Sequence, residues 1–360
     1  MPRTIREQFW RNKKVFITGH TGFKGAWLSY LLSSFGASVY GYSLEPEHED
    51  QFYVKIGVDS CIKKSFIRDI RDKTALEDAM KASSPDIVFH MAAQPLVRFG
   101  YQAPLYTFDV NVMGTANLLD LAVSMVKPLV VLAITTDKVY KNHEQIWPYR
   151  ETDELGGTDP YSSSKACAEL IINSYMESIS RPNGSCVRIA SARAGNVIGG
   201  GDWSLDRLIP DVMRSIQLGK TVSIRNPYAT RPWQHVLDCL SGYIVLAERL
   251  YQSDEYTGAW NFGPLTEQEW NVERVVEHIL NNFNPSPDIV VDTEMLAKKR
   301  EHMSLSLDST KSTKYLNWSP RLSVSEALDY TIREYRSLLQ PDDFKNVIDD
   351  SIKNFFNKDI

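Results

Sequence analysis

A run of four strand-forming residues, Val15-Phe16-Ile17-Thr18, passes directly into Gly19-His20-Thr21-Gly22-Phe23-Lys24-Gly25 and then into the helix-prone stretch from Ala26 to Phe35, closed by Gly36. This passage narrows the possible folds more than any other. Glycines let the backbone turn sharply and approach a ligand closely, and the helix that follows offers free amides and the positive end of its dipole to an anion. A strand, a glycine turn and a helix in that order form the context of a dinucleotide pyrophosphate site, with Gly19, Thr21, Gly22, Phe23, Lys24 and Gly25 as its lining. The glycines step by three and three, not by the two and three of ordinary dehydrogenases. A tight strand-to-helix turn without a ligand is the alternative.

The same alternation continues. Short β-rich runs at Ser38–Tyr42, Ile87–His90 and Leu129–Ile134 are separated by helical stretches over 72–81 and 106–125, a rhythm that predicts an α/β fold with a Rossmann-type doubly wound parallel sheet. Leu129–Ile134 is apolar at every position, as a strand covered on both faces must be, and should be central. After about residue 195 the chain gathers Gly, Pro, Trp and Arg. Helices are expected over 236–251, 272–282 and 323–339, in a smaller C-terminal α/β portion that carries the substrate. The division expected is residues 12–195 mainly for the dinucleotide, 196–340 mainly for substrate with some chain crossing back, and 341–360 as a charged tail with apolar residues at roughly helical spacing.

Composition sets limits. A net charge of −5 gives no general attraction to nucleic acid or an anionic surface. Four cysteines at unrelated spacings, and seven histidines without partners at ligand spacing, indicate neither a disulfide framework nor a metal site. The charged stretch 1–14 lacks the apolar core of a signal peptide, and no run approaches a membrane span, so a cytoplasmic protein is expected.

The chemistry gathers where Leu129–Ile134 ends. Thr136-Asp137-Lys138 follows that run, and Tyr161 with Lys165 follows at i, i+4, one face of a helix, where the ammonium can stabilise a phenolate. Such a tyrosine can take a proton from a hydroxyl as a hydride leaves the same carbon. A carboxylate and an amine beside it exceed what one hydride transfer requires. For the adenosine end, no acidic residue closes the second strand: Ser43 stands there, with Glu45 nearby and no adjacent arginine, which favours NAD without excluding NADP. Asp69, followed by Ile70, could meet adenine or be a solvated loop residue.

The glycine turn, His90-Met-Ala92-Ala93-Gln94, Asn111-Val-Met-Gly-Thr115, Thr135-Thr-Asp-Lys138, Tyr161-Ser-Ser-Ser-Lys165 and Arg231-Pro-Trp-Gln-His235 occur in one order that resembles the extended short-chain dehydrogenase/reductase family, over about residues 12–340. Within it, dehydratases of nucleotide-activated glucose show Thr-Asp-Glu where this chain has Thr136-Asp137-Lys138. Lysine in that place resembles the subgroup acting on CDP-glucose, as do Gly156-Gly157 and Gly195-Asn196-Val-Ile-Gly-Gly-Gly-Asp-Trp203. The resemblance implies oxidation at carbon 4, loss of water across carbons 5 and 6, and hydride return to carbon 6. Tyr161 and Lys165 then serve the 4-hydroxyl, Thr136 holds the reacting oxygen, Asp137 is the acid and Lys138 the base, the last requiring burial or cationic neighbours to become neutral. Ala92, Ala93 and Gln94 would line the cofactor.

Asn111, Arg193, Asn196, Arg207 and Arg231 are candidates for substrate, the arginines because a guanidinium can bind a diphosphate in bidentate fashion. Each arginine could instead be a surface residue, and Asn111 could stabilise a local helix break. A 4-epimerase and a catalytically idle NAD-binding subunit are the competing readings. The family also implies a homodimer through a four-helix bundle, to which Leu118, Leu119, Leu121, Leu170, Ile171 and Ile172 could contribute, although burial within one chain explains the same pattern.

Overall fold

Seven parallel strands build the centre of the computed structural model, which describes residues 7–180, 186–264, 270–284, 287–291, 305–338 and 343–358. They are β1 (Lys14–Thr18), β2 (Ser38–Ser43), β3 (Lys64–Ile67), β4 (Ile87–His90), β5 (Leu129–Ile134), β6 (Val187–Ala194) and β7 (Gly258–Phe262), in the order β7-β6-β5-β4-β1-β2-β3. Every pair in this sheet is parallel. The chain winds outward from β1 one way and from β4 the other, so a crevice opens at the carboxyl ends of these two neighbours, where doubly wound sheets take their ligands. All six residues of β5 are buried, as its unbroken apolar run requires. β7 comes from the C-terminal portion and closes the sheet against β6, so the chain crosses back.

The helices that matter for the site are α1 (Phe23–Ser34), α2 (Gly114–Val123), α3 (Pro160–Ser174), α4 (Leu208–Gln217) and α5 (Val236–Gln252), followed by α6 (Val324–Leu338) and α7 (Phe344–Asn357). The continuous helix expected over 106–125 is broken. Pro104–Phe108 leads into a π-helical turn at Asp109–Met113 before α2 begins. Asn111 lies in that turn, where its amide accepts from the Gln94 backbone N–H at 2.8 Å and donates to the Gln94 carbonyl and the Ser164 hydroxyl. Asn111 is thus the residue that stabilises a local break, and its placement at the substrate is corrected: the whole amide is spent inside the protein.

Two apolar clusters cover the faces of the sheet. The expected tail is part of the larger one. Phe344, Ile348 and Phe355 on α7 are buried there, with Phe344 against Phe52 and Phe356 against Phe35, while Tyr30 on α1 donates to Asp349. Arg321 ties down the end of α7 through the carbonyls of Phe355, Phe356 and Lys358. Of the apolar residues considered for a subunit interface, Leu118, Leu119, Leu121 and Ile172 are buried within the chain and Ile171 is half-buried. Leu170 stays exposed, as do Leu105 and Met113 on the neighbouring helical segments.

Candidate active site

Where β5 ends, Thr136 caps a single tight turn over Asp137–Val139. Its hydroxyl accepts from the Lys138 N–H and donates to Asp137 Oδ1 at 2.8 Å. Asp137 is 3% exposed, and its other oxygen, Oδ2, is buried without a hydrogen-bond partner among the described residues. Burial raises the Asp137 pKa, against the pull of Lys138, Thr136 and Arg231. A carboxyl so placed keeps a proton more readily than a free one, which is what an acid acting near neutrality needs. The loop from the C-terminal portion reaches it because residue 195 is glycine: a Cβ there would lie 2.4 Å from Pro232 Cγ and 3.3 Å from Asp137 Oδ2.

Helix α3 supplies the second half of the site. Pro160 opens it, and Asp159 caps it by accepting from the Ser162 N–H at 3.0 Å. Tyr161, Lys165 and Glu169 then follow at steps of four and share one face. The Lys165 ammonium donates to the Ile134 carbonyl at 3.0 Å, tying the helix to the end of β5. Burial pushes the Tyr161 phenol up to about 12, opposed by Arg207 and by its hydrogen bond with Thr136. Burial also lowers Lys165 to about 8, assisted by the nearby Lys24 and opposed by Glu169.

Glu169 escaped the sequence reading, though its four-residue step beyond Lys165 was a signal for it. It accepts from the Thr135 and Ser191 hydroxyls and, through both oxygens, from Arg193. Burial alone would raise its carboxyl, yet Arg193 and the two hydroxyls hold it below the usual value. Arg193 is 3% exposed and also donates to Tyr140. Its assignment to a diphosphate is therefore corrected: a guanidinium enclosed by Glu169 braces the back of the site.

The glycine turn has the shape the sequence predicts. Gly19 adopts φ +75°, and a Cβ there would lie 2.8 Å from the Ala92 nitrogen, while one on Gly25 would lie 2.0 Å from the Gly19 oxygen. Gly22 precedes α1 without a side-chain cap, so the first amides of that helix are left for an anion. Those features fit a dinucleotide pyrophosphate. Thr21 folds the turn onto β2 through the Ser43 hydroxyl and the Leu44 carbonyl. The Ala92 N–H is drawn to Thr18, and Ala93 beside it is half-buried.

Three residues expected at the cofactor also have partners within the fold. Gln94 donates to Thr107 and accepts from the Leu96 N–H, Ile70 packs its side chain against Gly114, and Asp69 accepts from Arg71 at both carboxylate oxygens. His90 is likewise occupied, between Thr18 and Thr115.

On the substrate side, Asn196 is half-buried just beyond β6. Arg207 precedes α4 without a side-chain cap bond, its guanidinium lies 3.3 Å from Asp202 Oδ2, and its charge reaches Tyr161. Arg231 is half-buried, and its charge reaches Asp137. The two arginines thus lie within electrostatic reach of Tyr161 and Asp137. Lys138 differs: it is exposed, so the chain alone does not build the burial that a neutral base would require. Among the described residues there is no cluster of His, Cys, Asp and Glu suited to a metal, and no helix is long and apolar enough to cross a membrane.

Comparison with known proteins adds independent findings. Residues 16–331 match the family described as GDP-mannose 4,6 dehydratase. The CDP-glucose 4,6-dehydratase of Salmonella typhimurium is 43% identical over 343 residues, covering 94% of this chain and 95% of that protein. Among solved structures, the dTDP-glucose 4,6-dehydratase of Bacillus anthracis in complex with NAD superposes with a TM-score of 0.74 at 20% identity, over 93% of this chain and 99% of the other. The UDP-glucose 4-epimerase of Thermotoga maritima with UDP-glucose does so with 0.76 at 20%, over 90% and 99%. At that identity the two structures speak for the fold, which dehydratases and epimerases share.

Proposed function

We propose, from the premise that this chain belongs to the GDP-mannose 4,6-dehydratase family, that it is an NAD-dependent CDP-glucose 4,6-dehydratase, a hydro-lyase forming CDP-4-keto-6-deoxyglucose and water. The observation that carries the reading is Asp137, a buried carboxyl with one oxygen uncommitted in the same turn as Thr136, beside Tyr161. A dehydrogenase or a 4-epimerase has no use for an acid there. The cytidine base follows from the Salmonella relative, which matches nearly end to end.

Residues 12–195 mainly bind the dinucleotide and 196–340 mainly the sugar nucleotide. The backbone of Gly19 to Gly25, with Ala92 and Ala93, holds the dinucleotide. When bound there, NAD would supply the hydride acceptor for carbon 4 and the hydride donor for carbon 6. Tyr161 takes the proton of the 4-hydroxyl, helped by the Lys165 charge at the end of β5, and Thr136 keeps the reacting oxygen in place. The ketone so formed acidifies carbon 5. Lys138 removes that proton, enclosed by the bound ligands because the chain leaves it exposed, and Asp137 protonates the departing 6-hydroxyl to release water. A solvent-exchanged proton returns to carbon 5 from Lys138 when carbon 6 has received the hydride. Arg207, Arg231 and Asn196 hold the diphosphate. The protein is cytoplasmic and homodimeric, with exposed Leu105, Met113 and Leu170 packing across a four-helix bundle.

The test is incubation with CDP-glucose and catalytic NAD in deuterated water. Loss of one water, one deuteron at carbon 5 and no accumulating NADH are expected. Inversion at carbon 4 without a change of mass would replace the reading with an epimerase. Lys138→Met should abolish deuteron incorporation at carbon 5; retained incorporation would remove Lys138 as the base.

A further inference from the structure

Lys24 lies inside the glycine turn, yet its surroundings are those of the substrate side. It is the second residue of α1, and its ammonium lies 5.8 Å from the centre of the Tyr243 ring on α5. Burial lowers its pKa, and the groups that next bear on it are Cys239, also on α5, Arg207 and Asp202 before α4, and Asp137 in the catalytic turn. It is felt in turn by Lys165. None of these residues belongs to the adenosine end, where Thr21 meets Ser43 and where Asp69 and Arg71 pair.

The charge balance is one-sided. Lys24 forms no ion pair among the described residues. Asp202 is already 3.3 Å from Arg207, and burial shifts Asp137 toward its neutral form. Lys24 and Lys165 therefore stand near the catalytic turn without an ion pair among the described residues, while Arg207 has Asp202. A fully buried cation of this chain is treated differently: Arg193 receives a bidentate carboxylate from Glu169. A half-buried ammonium without a carboxylate costs some folding free energy, which a ligand anion can repay on binding.

The geometry points to Lys24 as the residue that holds the sugar-proximal phosphate of the nucleoside diphosphate. This deepens, and rests on, the nucleotide-sugar reading above. The phosphate next to the sugar is the one concerned, because Lys24 shares its surroundings with Asp137 and Lys165, which act on the sugar. Holding that phosphate from the cofactor turn ties the position of the sugar to that of the dinucleotide and fixes carbon 4 relative to Tyr161.

Calorimetric titration of the full-length protein with CDP, UDP, GDP, CMP and NAD, comparing wild type with Lys24→Met and Lys24→Gln, tests this. Both variants should weaken nucleoside diphosphates roughly ten- to hundredfold while CMP and NAD shift by less than about threefold, and neither should melt below wild type without ligand. Unchanged CDP affinity overturns the assignment, as does an equal loss for CDP and CMP. A loss confined to NAD gives the charge to the dinucleotide and also overturns it, and lower melting with loss of every ligand makes Lys24 structural. Failure of the cytidine reading is separate: wild type would then prefer UDP or GDP, and the ratio of variant to wild type on that nucleotide still decides Lys24.

Discussion

Removing Glu169 should cost more stability than any other single change near the site. Its carboxylate receives Thr135 at 2.5 Å, Ser191 at 2.8 Å, and Arg193 Nε and Nη2 at 3.0 and 2.8 Å. Both members of the pair are almost wholly buried, with side chains 4% and 3% exposed. Glu169→Leu would strand the guanidinium of Arg193 away from water, a loss of about 3–5 kcal/mol, against a total stability on the order of 5–15 kcal/mol. The double variant Glu169→Leu/Arg193→Met removes both charges and should recover most of that loss, because apolar residues of similar volume can replace a buried pair at little net cost. Urea unfolding of wild type, both single variants and the double variant measures the coupling. The sign with pH follows from the pair. Since Glu169 is held below its unfolded value, its contribution is present above the unfolded carboxylate pKa and is lost as pH falls through the folded one, so the gap between wild type and Glu169→Leu should narrow in acid. A single-variant loss under about 1 kcal/mol, or a double variant whose loss equals the sum of the singles, would refute the reasoning.

Lys165→Met should abolish turnover yet leave the protein no less stable at neutral pH. The folded pKa of Lys165 is about 8, so the unfolded chain binds more protons between that value and the unfolded lysine value. Wild type should gain up to about 3 kcal/mol relative to Lys165→Met as pH rises across that window; parallel stability curves would contradict it. Gly25→Ala places a Cβ 2.0 Å from the Gly19 oxygen and should abolish NAD binding and lower the melting temperature, whereas retained binding by calorimetry would show that the turn can relax. Leu170→Glu should yield a monomer by sedimentation, and an unchanged mass would place the subunit contact elsewhere.

Much of the architecture was written locally. Strand β5 could be read as central because six consecutive apolar side chains have no other place than a sheet covered on both faces. The glycine turn was readable because its steric requirements lie within seven residues, and Tyr161 with Lys165 because a helix alone sets their common face. The helix break at Asp109–Met113 was less visible, since none of its own five residues is a proline or glycine and its stabilisation comes from Gln94, seventeen positions from Asn111. The C-terminal helix showed its apolar spacing, but the surface it covers, around Phe35 and Phe52, lies some three hundred residues away.

The arginines draw the boundary most clearly. Arg193, Arg207 and Arg231 have the same chemistry and lie in the same stretch of loops and strand ends, so the sequence alone nominated all three for a diphosphate. Only the tertiary structure separated them, by bringing Glu169 to Arg193 while leaving the charges of Arg207 and Arg231 within reach of Tyr161 and Asp137. The sequence by itself determined the sheet, the cofactor turn and the paired tyrosine and lysine, because backbone geometry and helical periodicity act over a few residues. Which polar side chains are left open to a ligand was decided by the fold, because a buried charge must find its counter-charge wherever the chain returns with one.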